Sequence, residues 1–167
     1  KRTDSDANFK LGLEWRPDIQ SGLIDKLMIY GNISTGFRSG SYNAEFVGTP
    51  SALTSLPPEK ITAYELGFKS TLANRSMQLN GSLFHYDFRD GFINVDSPTS
   101  PVPVTINAAN INTWGAELDW IWQPRKDINL GISGGWLSST IKGNITSAGQ
   151  SLDGNRPVQS PRWTLTS

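Results

Sequence analysis

The ten residues Trp114-Gly115-Ala116-Glu117-Leu118-Asp119-Trp120-Ile121-Trp122-Gln123 decide how this chain folds. Trp114, Ala116, Leu118, Trp120 and Trp122 occupy alternate positions, with Gly115, Glu117, Asp119 and Gln123 between them and Ile121 as the one departure. Side chains of an extended strand point alternately to opposite faces, so this spacing makes one apolar and one hydrated face. The period continues outward. Phe9, Leu11, Leu13 and Trp15 alternate with Lys10, Gly12, Glu14 and Arg16; Tyr64, Leu66 and Phe68 with Glu65, Gly67 and Lys69; Ile128, Leu130, Ile132 and Trp136 with Asn129, Gly131, Ser133 and Gly135. Seven strands are expected, over residues 7–16, 27–38, 60–70, 76–88, 106–123, 128–141 and 162–167. In the fourth, Phe84, Tyr86 and Phe88 take the opposite parity to Met77, Leu79 and Leu83, which predicts a face-swapping bulge at that point. No stretch sustains a 3.6-residue period, so the chain reads as all-β.

Composition narrows the chemistry. Fifteen Lys and Arg balance fifteen Asp and Glu, so there is no basic stripe to release counterions from nucleic acid. The 167 residues contain no Cys and a single His85, which removes disulfides, thiol nucleophiles and two-His metal sites; no metal or cofactor is expected. No apolar run approaches the roughly 18 residues of a membrane helix, and the opening Lys1-Arg2-Thr3-Asp4 is polar with no apolar signal core behind it. A membrane β-barrel hides from such tests, because its strands alternate.

The connections alternate in length. Asn74-Arg75 and Pro124 to Asp127 are tight and Pro17 to Lys26 is fairly short, whereas Ser39 to Glu59, Arg89 to Thr105 and Lys142 to Pro161 are long and polar. Outer-membrane barrels have short periplasmic turns and long extracellular loops, and their strands run to about 9–11 residues, as these do. Trp114 and Trp122 are eight residues apart, roughly 26 Å along a strand and about 20 Å along the normal of a bilayer at a tilt near 40°. Trp15, Trp114, Trp120, Trp122 and Trp136 are therefore expected to form a membrane-interface girdle, since an indole is apolar yet carries an N–H that wants a partner. The predicted fold is an antiparallel up-and-down meander, part of a large transmembrane β-barrel. Periodicity alone leaves open which face is wet: a small soluble barrel would put the apolar face inward. The glycines on the polar face (Gly12, Gly67, Gly115, Gly131) also fit two readings, a wall with something lying close against it or local relief of strand crowding.

Particular segments resemble a known family. PPEKITAYELGFKSTL (Pro57 to Leu72) is similar to a recurring stretch of the barrel of TonB-dependent outer-membrane receptors. LMIYGNISTGFRSGSYN (Leu27 to Asn43) resembles that family's strand and loop entry, and INAANINTWGAELDW (Ile106 to Trp120) its later strand. LNGSLFHYDFRD and RPVQSPRWTL follow in the family's order, so the resemblance spans nearly the whole chain. It implies TonB-driven import of a scarce nutrient across the outer membrane, most readily a ferric siderophore, with cobalamin, haem or a carbohydrate also in the family's range. It implies as partners the outer-membrane lipid, the small nutrient ligand and the TonB complex, the last through parts expected outside these residues. No plug domain or TonB box is recognised here. Residues 1–167 are expected to be a partial barrel, because seven strands fall short of the roughly 22 such transporters use and would leave two unpaired edges.

Ligand contacts are expected in the long loops: Arg38, Tyr42, Asn43 and Phe46 in the first, Asp90, Phe92 and Asn94 in the second. Arg38 suits an anionic chelate, and the aromatic residues suit a catechol or sugar ring. Two further readings compete. A soluble all-β carbohydrate- or protein-binding module keeps the same strands with the faces inverted. A membrane hydrolase would need His85, Asp87 and Ser82 to converge, yet on a strand Ser82 faces away from the other two, and no enzyme is expected. Glu117 and Asp119 share the polar face and read as two acids on a hydrated wall.

Overall fold

The computed structural model describes residues 4–19, 21–43, 54–96 and 103–167. Its principal unit is one seven-stranded antiparallel sheet in which neighbours in space follow one another along the chain. The strands are β1 (Lys10–Trp15), β2 (Ile24–Arg38), β5 (Glu59–Leu72), β6 (Met77–Val95), β7 (Val104–Arg125), β8 (Ile128–Lys142) and β11 (Trp163–Thr166), in that order. Two short hairpins lie in the long connections: β3 (Ser41–Asn43) with β4 (Thr54–Leu56), and β9 (Thr146–Ser147) with β10 (Gln150–Ser151). The sheet does not close on itself among the described residues, and β1 and β11 are its edges.

Register fixes the faces. One row of cross-strand partners runs Leu13, Gly31, Leu66, Leu83, Ala116, Trp136 and Trp163; the next on that face runs Trp15, Ile29, Phe68, Gly81, Leu118, Gly134 and Leu165. The opposite face carries Glu14, Tyr30, Gly67, Ser82, Glu117 and Gly135 in register. The alternation read in sequence is thus the two-sidedness of a single continuous sheet. The apolar side is left open: Leu13 is 78%, Leu66 57%, Trp114 54% and Leu118 51% exposed. No second layer covers it among the described residues, which is the reverse of a soluble sandwich.

Strand ends differ from the sequence expectation at the loop side. β6 runs on to Val95 and β7 starts at Val104, so much of what read as a loop from Arg89 is paired sheet. Phe92, Ile93, Val95, Val104 and Ile106 have the β-branched and aromatic character that favours pairing, and the polar residues among them disguised it. The bulge exists, but not at Phe84. Pairing is regular from Met77 to Phe88; one shift falls where Arg89 and Asp90 together face Asn110, and a second follows between Gly91 and Phe92. Asp90 has φ 54°, the left-handed region that a bulge can require and Asp tolerates better than most residues. Phe84, Tyr86 and Phe88 therefore stay in register on the polar face. Above the bulge Ile93 and Val95 join Ala109, Ile111 and Ile141 in a small apolar cluster, closed by Ile145 and Leu152 from the β9–β10 hairpin region.

The glycine question resolves toward local relief at two positions. The Tyr30 ring lies across Gly67, so that a Cβ there would sit 2.5 Å from Cζ, and the Phe84 ring lies across Gly115 in the same way. Rings from neighbouring strands fill the space, the arrangement by which aromatic residues compensate a strand glycine. Gly12 and Gly131 are in ordinary contact with their own sheet. Gly115→Val should drive Phe84 off its seat and lower the stability of the folded protein by about 1–3 kcal/mol, read as a lower urea midpoint at unchanged slope. Gly131→Val, with no side chain over it, should change that midpoint much less; equal effects would contradict the seat.

Candidate functional site

Two groups of polar and aromatic side chains stand out, one at the loop end of the sheet and one on its polar face. At the loop end β2 finishes at Arg38 directly opposite Glu59, the first residue of β5. Their side chains form a 2.6 Å ion pair, in which the Arg38 guanidinium also lies 4.5 Å from the ring centre of Phe92. Cation, carboxylate and ring thus form one cluster, even though they come from three strands. Ser41, Tyr42, Leu56 and Thr105 complete a pocket around Arg38 and Phe92. Tyr42, on β3 opposite Ser55, is half exposed, whereas Leu56 is buried as the pocket's apolar floor.

The seven loop residues chosen from sequence fare differently. Arg38, Tyr42 and Phe92 meet in this pocket. Asn43 lies on β3 with its backbone opposite Thr54, and Phe46 falls outside the described residues. Asn94 is used within the sheet, its Oδ1 accepting 2.7 Å from Thr105 Oγ1. Asp90 acts through its backbone: its carbonyl accepts a hydrogen bond from Asn107 Nδ2. Asn107 Nδ2 also donates 2.9 Å to the Pro57 carbonyl, so one amide ties the entry to β5, the β6 bulge and β7 together beneath the pocket. Neither Glu59 nor Asn107 was anticipated. Glu59 could have been found by pairing the two ends of the first long loop, since the residues flanking a hairpin face one another; nothing in the sequence marks Asn107.

On the polar face Tyr30 donates 2.6 Å to Glu65 Oε1 and Asn32 Nδ2 donates 3.3 Å to Glu65 Oε2. Lys69 lies 5.9 Å from the Tyr30 ring centre. Lys10, Glu14 and these groups line one shallow polar hollow. Glu117 and Asp119 follow on the same face, two acids along one strand of a polar wall.

The five tryptophans named from sequence all lie on the apolar side. Trp120 and Trp122, with centroids 5.9 Å apart, lie toward the β7–β8 turn, and Trp15 is the last residue of β1, next to the β1–β2 connection. Trp114 lies toward the loops, in a row with His85 at 4.3 Å and Tyr64 beyond it at 5.8 Å, all stacked. Trp136 stands opposite Ala116 and Trp163, just inside that row. His85 is a member of this aromatic row, with Asn112 Nδ2 2.8 Å from its Nε2. Ser82 is on the other face beside Glu117, so the three residues of a hydrolase triad do not converge.

The segment before β1 is pinned at the loop end by a 2.6 Å pair between Asp6 and Lys60. The hydrogen bond from Lys60 holds the Asp6 carboxyl below its ordinary value, so the pair is intact above the usual carboxylate range and lost as pH falls through the lowered value.

Known proteins share this architecture. The family model described as TonB dependent receptor-like, beta-barrel matches residues 1–166. Among solved structures, the ferric yersiniabactin uptake receptor FyuA from Yersinia pestis is similar over 93% of this chain and 21% of its own, at 20% identity and a TM-score of 0.67. The RagAB peptide transporter is similar over 85% of this chain and 18% of its own, at 16% identity and a TM-score of 0.58. The chain thus spans about a fifth of the length of these structures. No curated protein sequence matches it. At such identities the structural likeness speaks for the fold, and the family match agrees with it over nearly every residue. The chain belongs to the TonB-dependent receptor family, a family of transporters and receptors rather than enzymes, and forms part of its transmembrane β-barrel.

Proposed function

We propose that this chain is wall and extracellular rim of an outer-membrane importer that takes up a scarce nutrient, a ferric siderophore, with energy from the TonB complex. The observation that carries the ligand assignment is the Arg38 cluster. A guanidinium held between Glu59 and the Phe92 ring, with the Tyr42 ring alongside, offers charge to an anionic chelate and flat surfaces to its aryl groups. Asn43, Phe46, Asp90 and Asn94 complete the proposed rim, Asp90 and Asn94 by shaping it rather than by contact. FyuA, alike in fold, is a ferric yersiniabactin uptake receptor, so a barrel of this kind accommodates a ferric chelate as cargo.

The apolar side supports the membrane location. Trp114, His85 and Tyr64 mark one interface and Trp15, Trp120 and Trp122 the other, with Trp136 lining the outer half and Leu118 midway between Trp114 and Trp122. A soluble binding module is the weaker reading, because it would have to cover this face and nothing among the described residues does.

Two measurements test the proposal. Leu118→Arg should cost about 2–4 kcal/mol of stability in the full-length receptor refolded into lipid vesicles, and the same change at Ser82 on the polar face much less. Equal costs would refute the assignment of faces. Arg38→Ala should weaken binding of the receptor's ferric siderophore by about tenfold or more, as loss of a charge-assisted contact does, while heat-modifiable migration is kept. Expression indifferent to iron, together with radioiron uptake unchanged when the gene is deleted, would end the siderophore assignment.

A further inference from the structure

The outward side above the aromatic row is layered, and the layering has a chemical meaning. Directly above Tyr64, His85, Trp114 and Ser138 comes a row of Thr62, Asp87, Asn112 and Thr140. Above that, Lys60 pairs with Arg89 and Asn110 with Lys142, and the two pairs meet at the β6 bulge, where Arg89 and Asp90 together face Asn110. Three cations thus line up four residues beyond the aromatic row, about 13 Å along the strand and about 10 Å along the membrane normal. That is the headgroup zone, within reach of long side chains that extend back toward the interface.

Lys60 and Arg89 are direct cross-strand partners, a placement in which like charges repel unless anions intervene. Asp6 and Asp87 supply one carboxylate each, at 2.6 Å and 3.1 Å, yet Lys60 and Arg89 remain 57% and 69% exposed. Arg89 uses only Nε for Asp87, so its two terminal nitrogens have no partner among the described residues. No carboxylate among them pairs with exposed Lys142. The row therefore carries one more positive charge than its carboxylates cancel, with its open donors facing outward.

We infer that Lys60, Arg89 and Lys142 form a docking site for the phosphate groups of outer-leaflet lipid headgroups, with the Tyr64–His85–Trp114 row seating the apolar part of the same molecules. This rests on the membrane reading of the apolar face. It is separate from the nutrient pocket, because the cations lie on the outward side and Arg38 belongs to the rim cluster with Glu59 and Phe92.

The test uses the full-length receptor in detergent, mixed with dioleoylphosphatidic acid or dioleoylphosphatidylcholine and examined by native mass spectrometry. The wild type should retain the phosphatidic acid preferentially, and Lys60→Gln/Arg89→Gln/Lys142→Gln should retain about tenfold less of it with phosphatidylcholine unchanged. Lys142→Gln alone should lose about threefold, which covers the case in which the triple variant fails to fold. Lys60→Arg/Lys142→Arg should behave as wild type. Equal retention of phosphatidic acid by wild type and variants overturns the site, and so does its displacement by millimolar inorganic phosphate, which would make the site one for a free anion. A receptor absent from the membrane fraction would instead bring down the membrane reading itself.

Discussion

Backbone hydrogen bonding is the constraint from which the rest follows. In hydrocarbon an unpaired N–H or C=O costs several kcal/mol, so a spanning chain must pair every group with a neighbouring strand. Here the ladder is continuous from Lys10 opposite Ser34 to Trp163 opposite Trp136, through six antiparallel interfaces. Once that ladder is fixed, side-chain direction is fixed with it, since period two leaves no freedom to rotate a residue to the other side. The wet wall, the apolar belt, the aromatic row and the cation row are all consequences of register. The open edges of β1 and β11 belong to the same constraint: they demand further strands of the barrel.

Much of this was legible in sequence because the apolar side of a membrane sheet is under simple pressure. Leu11, Leu13 and Trp15, or Trp114 to Trp122, need only be apolar at alternate positions, and their faces could be read by counting. The polar side obeys no such rule. Phe84, Tyr86 and Phe88 looked like a change of face, yet they remain beside Ser82 and Glu117 because Gly115 offers Phe84 a flat seat and Phe84 and Tyr86 stack at 4.8 Å. Compensation between a ring on one strand and a glycine on the next is a pair property, invisible until the register is known.

The site was legible only in part, for a related reason. Arg38, Tyr42 and Phe92 could be picked out because a cation and rings beside a loop suit an anionic or aryl ligand as well as the rim itself. What brings them together is less visible: Glu59 faces Arg38 across the hairpin, and Asp90 adopts a left-handed conformation that only the register of β6 against β7 makes necessary. Asn94 shows what composition hides. It looked like a free contact and is used by Thr105 of the paired strand, because the sheet extends past the point where composition suggested loop.

That extension bears on how a rim on long connections can hold a defined pocket. Loops are usually mobile, and a pocket built on them would lose ordering entropy whenever a ligand binds. Here β6 and β7 carry their pairing five residues beyond Asp90, so Phe92 stands on sheet. The Asn107 amide clamps the bulge to the start of β5, where Glu59 holds Arg38. On the neighbouring side the β9–β10 hairpin is tied to β6 by Asp96 and Ser147, and Ile145 packs against Val95 and Ala109. The extra residue at Arg89–Asp90 is what makes both arrangements compatible. It keeps the Phe84, Tyr86 and Phe88 rings on the polar wall below, and above it turns Ile93 and Val95 to meet the hairpin. Without it, alternation would carry the aromatic parity upward and leave the loop region without its apolar anchor. Ordering at the rim is therefore a property of the folded wall, set before any ligand arrives.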